Sequence, residues 1–145
     1  MRTFYLAGPY PLKNEISAKA QVLEQKFGLR WHGGWDWTQF GEEHLGQKGT
    51  DNYTLAMAGG VCGDLAAATG ADLFVLARYP GQAQLGGHME LGARMGTTRE
   101  AHVILNGEAD HMFYSHPSVT VHEAWDSFFR WMAGEINAKA YWQGV

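Results

Sequence analysis

Two rhythms of hydrophobic and polar positions run along the chain. Short apolar runs halted by turn residues predict buried strands. They are Phe4-Tyr5-Leu6-Ala7 before Gly8-Pro9, Leu29-Arg30-Trp31-His32 before Gly33-Gly34, and Ala71-Asp72-Leu73-Phe74-Val75-Leu76. Ala101-His102-Val103-Ile104-Leu105 and the short Val119-Thr120-Val121 complete the set. Between them apolar residues return every three or four positions, the spacing of one helix face. Ile16, Ala20, Leu23 and Phe27 predict a helix over 14–27, with Asn14 as N-cap and Gly28 as stop. Leu55, Ala58, Cys62, Leu65 and Ala66 mark the apolar face of a helix over 50–70, which opens near Asp51 and is weakened by Gly59, Gly60 and Gly63. A turn at Pro80-Gly81 precedes a helix from Leu85 to about Met95, and Trp125, Phe128, Phe129 and Met132 line one over 124–138. Residues 35–50 carry no period and read as a long loop, of the kind that is usually functional or mobile.

Strands alternating with helices imply a parallel sheet covered on both faces. Right-handed crossovers then leave few topologies. The expected fold is α/β, a flavodoxin-like or Rossmann-like three-layer sandwich whose five-stranded parallel sheet has the order 2-1-3-4-5, built as a single domain over 1–145. Such a sheet binds ligands outside the carboxyl ends of its strands, near the switch point, so the loops after strands 1 to 4 are the ones to search.

Composition narrows the function classes. Of 145 residues 46% are hydrophobic, enough for a sizeable core and incompatible with wholesale disorder. Eleven Lys and Arg against fifteen Asp and Glu give a net charge of −4 with no basic run, which argues against a nucleic-acid partner. The single Cys62 rules out an intramolecular disulfide and a cysteine zinc site, and suits a reducing cytoplasm. The apolar stretch before Pro9 is too short for a signal peptide, and no run reaches the ~18–20 apolar residues of a membrane span. A cytoplasmic protein without a membrane partner is expected. His111, His116 and His122 fit no metal-ligand spacing, so neither a metal nor a cofactor is expected.

Three stretches lie where the fold would place chemistry. In Tyr5-Leu6-Ala7-Gly8-Pro9-Tyr10 the glycine lets a ligand approach the backbone and Tyr10 is placed to cover it, while Pro9 and Pro11 remove the N–H donors a phosphate cradle needs. The same residues also read simply as a strand and its turn. In Gln84-Leu85-Gly86-Gly87-His88-Met89-Glu90 the carboxylate follows two glycines about a turn into a helix, where the helix dipole favours the ionised form that a nucleophile requires. An ordinary acidic residue near a helix start has the same spacing. Asp64 sits among small residues, where a carboxyl needs a partner or a proton, and a protonated one can serve as general acid. It reads equally as a solvated helix carboxylate, and Asp72 as a residue tying down loop amides. Trp31, Trp35 and Trp37 are stacking candidates for a planar base or core residues, with Asp36 a polar anchor among them.

Together these stretches resemble the nucleoside 2-deoxyribosyltransferase family. The likeness runs from Tyr5-Leu6-Ala7-Gly8-Pro9 through Gly63-Asp64-Leu65 and Asp72-Leu73-Phe74-Val75-Leu76 to Gly87-His88-Met89-Glu90-Leu91-Gly92-Ala93 and the late His111-Met112-Phe113-Tyr114-Ser115-His116-Pro117. The resemblance implies that Glu90 attacks C1′ of a 2′-deoxynucleoside and that Asp64 protonates the leaving base. It also implies that Tyr5 orients the nucleophile and that a second base takes the deoxyribosyl group from the resulting ester, with configuration retained. Gly8, Pro9, Asp36, Trp37, Gln84, Gly87, Met89 and His111 are the matching substrate-binding positions. The partners implied are a nucleoside or nucleotide and a free nucleobase. Copies of the chain would associate, His111 completing a neighbour's site. Two positions depart from the family: Gln84 stands where transferases often carry a second carboxylate, and Asp110 or His111 replaces a late asparagine. Related branches hydrolyse nucleoside 5′-monophosphates, so a nucleotide N-hydrolase is the alternative outcome, and a non-catalytic nucleotide-binding domain a third.

Overall fold

A computed structural model describes residues 1–32 and 47–136. Its strands are β1 (Thr3–Ala7), β2 (Arg30–Trp31), β3 (Leu73–Ala77), β4 (Ala101–Ile104) and β5 (Val119–His122), all parallel and ordered β2-β1-β3-β4-β5. The helices are α1 (Lys13–Phe27), α2 (Asp51–Gly70), α3 (Leu85–Gly96) and α4 (Trp125–Met132). The topology is the expected one.

Alternation along the strands divides the core. Phe4, Leu6, Val75 and Ile104 face α1 and α4, where Ile16, Leu23 and Phe128 are fully buried. Tyr5, Ala7, Phe74, Leu76 and Val103 face α2 and α3, against Ala67, Ala68 and Leu91. Each large side chain so buried contributes about 1.5–3 kcal/mol of transfer free energy. The stripe Trp125, Phe128, Phe129 and Met132 packs on the first of these layers as its spacing requires. Among the described residues no helix is long and apolar enough to cross a membrane.

Local departures have local causes. Asn14 does not cap α1: a 3-10 turn over Tyr10–Leu12 leads directly into the helix and places Asn14 inside its first turn. Gly28 does end it, in the left-handed region at φ 68°. Helix α2 begins at the cap Thr50, whose side chain accepts from the Tyr53 N–H at 3.3 Å. Its buried side is not the expected one. Leu55, Ala58, Cys62 and Ala66 are exposed, and Gly60, Ala67 and Ala68 pack inward, because only the smallest residues let the helix lie close to its neighbours. Ala71 and Asp72 precede β3; Asp72 Oδ2 accepts from the N–H groups of Arg2 and Thr3 at 2.7 and 3.0 Å, which fixes the start of β1. Helix α4 closes at Met132, short of the expected 138, and residues 137–138 lie outside the described residues.

The buried Arg94 of α3 fixes the two site-bearing helices to each other. Its guanidinium donates to the carbonyls of Ala68 and Ala71 at 3.2 and 2.6 Å, and to that of Glu100 at 2.9 Å. It thereby satisfies carbonyls that the end of α2 leaves unpaired.

Candidate active site

A cavity of about 540 Å³ opens between the end of β1, helix α2 and the start of α3. This is the carboxyl edge of the sheet beside the switch between β1 and β3, where loops following strands can converge without blocking one another. Tyr5 and Gly8 reach it from β1 and its turn, Asp64 from α2, and Gln84, Gly87 and Glu90 from α3. Pro9 and Met89 line it too.

The polar heart of the cavity is a triad. The Tyr5 hydroxyl faces both the Glu90 and the Asp64 carboxyl groups, near enough for each to act on its titration. Burial pushes Glu90 up from 4.5 to about 7 and Asp64 up from 3.8 to about 6; the Tyr5 hydroxyl opposes both shifts, and the negative charge of Asp64 adds to that of Glu90. Burial first, and then the two carboxylates, hold the Tyr5 phenol far above its usual range. One Glu90 oxygen, Oε2, is buried without a hydrogen-bond partner among the described residues. Two carboxyl groups around one hydroxyl resist joint ionisation, an arrangement that can hold one proton between them.

The reason expected for an ionised Glu90 does not hold. Glu90 is the sixth residue of α3, past the first turn, so the helix N-terminus gives it little support, and burial dominates.

The glycines divide their work differently from the simple reading. A Cβ on Gly8 would lie 2.5 Å from Ile16 Cδ1, and one on Gly87 2.6 Å from Leu76 Cδ1, so both positions serve close packing of the adjoining helix as well as the cavity wall. Gly86 has open space beside it, and there a substrate meets no side chain. Gln84 takes a left-handed backbone at φ 54° just before α3, and its amide donates to the Ala77 carbonyl at the end of β3. Its Oε1 is buried and unpartnered among the described residues.

His111 is not part of this cavity wall. It precedes the 3-10 turn Met112–Ser115, where its Nδ1 accepts from the Phe113 N–H at 3.2 Å and its ring stacks on Phe113. Asp36 and Trp37, with Trp35, lie outside the described residues. Trp31 lines the cavity with its ring stacked on Phe4. Sequence reading missed Val61 and Gln82 as lining residues. Val61 had a signal, since it precedes Asp64 by three positions and so shares its helix face. Among the described residues no group of three or more His, Cys, Asp or Glu is arranged to hold a metal ion.

No family model matches the chain, and no curated protein matches it in sequence. Among solved structures, that of the CMP N-glycosidase BcmB from Clostridium botulinum is similar in fold. The TM-score is 0.54 and the identity 11%, over 91% of this chain and 98% of that one.

Proposed function

We propose that this protein cleaves the N-glycosidic bond of a 2′-deoxynucleoside through a glycosyl ester on Glu90 and transfers the deoxyribosyl group to another nucleobase. The observation that carries the reading is the joint placement of Glu90, Asp64 and Tyr5 on the wall of one cavity. The fold shared with a CMP N-glycosidase supports glycosidic cleavage, and the resemblance of the motifs to deoxyribosyltransferases supports the transfer.

The chemistry balances with these groups alone. A carboxylate oxygen of Glu90 forms a bond to C1′ while the C1′–N bond breaks, its electron pair leaving with the base. Asp64 gives that base its proton. A nitrogen of the incoming base then attacks C1′, the ester bond returns its electrons to Glu90, and the proton goes back to Asp64. The productive arrangement is Asp64–O–H to Tyr5, and Tyr5–O–H to Glu90, the minor form of the singly protonated pair, because burial raises Glu90 to about 7 and Asp64 only to about 6. His111 completing the cavity of a neighbouring copy belongs to the same proposal.

A nucleoside suits the site better than a nucleotide. The charged side chains that line the cavity among the described residues are both carboxyl groups, which would repel a phosphate. The second reading, a nucleoside 5′-monophosphate N-hydrolase, is favoured by the CMP N-glycosidase likeness and by Lys13, whose amine donates to the Tyr10 hydroxyl at 3.2 Å beside the cavity.

Incubation with a deoxynucleoside and a different free base should give the exchanged nucleoside by chromatography. Glu90→Ala should lower the rate by about a thousandfold or more while remaining folded. Turnover that stops at free sugar defeats the transfer step. Sugar 5-phosphate released from a nucleotide, with nucleosides inert, selects the second reading. Ligand-dependent thermal stabilisation without any product would leave only a binding domain.

A further inference from the structure

Helix α3 begins under poor local terms. No side chain caps it, Gln84 occupies left-handed backbone without being glycine, and Gly86 and Gly87 weaken its first turn. Yet this turn delivers Glu90 to the cavity. Something tertiary must hold it.

His88 is gripped at both ring nitrogens. Nδ1 lies 2.9 Å from the main-chain carbonyl oxygen of Gln84, and Nε2 lies 2.7 Å from the Tyr114 hydroxyl. A carbonyl only accepts, so Nδ1 carries a proton. The Tyr114 oxygen accepts from an Arg78 N–H at 3.2 Å, and its own proton points to His88 Nε2. Arg78 is anchored in turn by Glu108 at 3.2 Å and by the Ala109 carbonyl at 3.3 Å. The His88 and Tyr114 rings stack at 10°, their centroids 6.0 Å apart. From an Arg78 terminal N–H through the Tyr114 hydroxyl and the His88 ring to the Gln84 carbonyl each link has its acceptor, and the chain runs in one direction from the end of β3 and the 3-10 turn Met112–Ser115 to the first turn of α3; the Arg78 Nε alone is buried without a partner among the described residues. None of Arg78, Tyr114 and His88 lines the cavity, so they reach a substrate only through the helix.

We propose that Arg78, Tyr114 and His88 are positioning residues that fix the first turn of α3 and thereby the approach of Glu90 to the reacting carbon. The proposal rests on the reading of Glu90 as nucleophile. Catalysis by a pre-placed group is sensitive to small displacements, while binding of the substrate against the rest of the wall is not. Loss of the chain should therefore appear in kcat rather than KM.

Tyr114→Phe tests this, because it keeps the stacked ring and removes only the hydroxyl. In the base-exchange assay kcat should fall about tenfold with KM within about twofold. Side-chain nitrogen NMR should show His88 protonated at Nδ1 in the native protein and a mixed tautomer in the variant. His88→Ala should lose at least as much, and His88→Asn, which retains a donor for the Gln84 carbonyl, should recover part of it. Urea midpoints separate positioning from unfolding: a fall in kcat that only tracks the lost folded fraction overturns the proposal. So does a native His88 protonated solely at Nε2. Activity retained by Glu90→Ala defeats the nucleophile assignment and this proposal with it, whereas an inactive Glu90→Ala beside an unchanged Tyr114→Phe overturns the positioning chain alone.

Discussion

Two pairs of titratable groups lie on opposite faces of the sheet, and only one of them meets open space. On the α2–α3 side Glu90 and Asp64 share the Tyr5 hydroxyl beside the cavity. On the α4 side His102 and His122, both fully buried, sit with Nδ1 and Nε2 2.9 Å apart. His102 Nε2 lies 3.0 Å from the Glu100 carboxylate, and Phe128 and Trp131 close over the rings. Burial pushes His122 down to about 3, as forcefully as it pushes the carboxyl groups up. A shifted titration is thus no mark of a site by itself. The histidine pair meets other protein groups on all sides and serves as a cross-strand strut between β4 and β5; the carboxyl pair meets a cavity that a ligand can enter.

The sharpest way to test that contrast is at the acid. Asp64→Asn should lower kcat/KM by about a hundredfold or more, the usual range for a lost general acid. The pH profile shows why. In the proposed roles, below about 6 both carboxyl groups hold protons and Glu90 cannot attack, and above about 7 both are ionised and Asp64 has no proton to give. The native profile should be a bell with its maximum between these values, which belong to the pair jointly. Its alkaline limb should be absent in the Asn variant. A native profile that stays flat from pH 5 to 9 would remove the shared proton from the account.

His102→Ala should do the reverse. Removing a fully enclosed ring leaves a cavity and strips Glu100 and His122 of their partner, a loss of about 3 kcal/mol in urea unfolding. Activity per folded molecule should be unchanged. A fall in kcat without loss of stability would erase the distinction between the two pairs.

The smallest effect expected is a gain. A carboxyl whose pKa rises from 4.5 to about 7 on folding binds its proton more tightly in the native state. Stability is then full below about 4.5, declines as pH rises toward about 7, and stays low above it. Glu90→Gln should therefore stabilise the protein at pH 8 by up to ~2 kcal/mol and leave it unchanged at pH 4, measured by urea unfolding at both. An equal gain at both values would mean that packing rather than charge is responsible.

Much of this was legible in the residues. Apolar runs ended by Gly8-Pro9 or followed by the turn at Pro80-Gly81 define β1 and β3, and their alternation with helical stretches leads to a parallel sheet and to its carboxyl edge. Glu90, Asp64, Tyr5, Gly8, Pro9, Gln84, Gly87 and Met89 do converge there. The buried side of α2 was not legible. A helix rich in Ala and Gly has no strong apolar stripe, and the inward face is chosen by how closely it must approach the sheet. The partnership of His88 with Tyr114, 26 residues away, leaves no local period at all.

Sequence alone determined the order of elements and which residue types arrive at the cavity, because both follow from local periodicity and from where strands end. The tertiary structure decided how those residues behave. Burial is a property of the assembled layers, so only the tertiary structure could bring Asp64 beside Glu90 and raise both carboxyl groups toward neutrality.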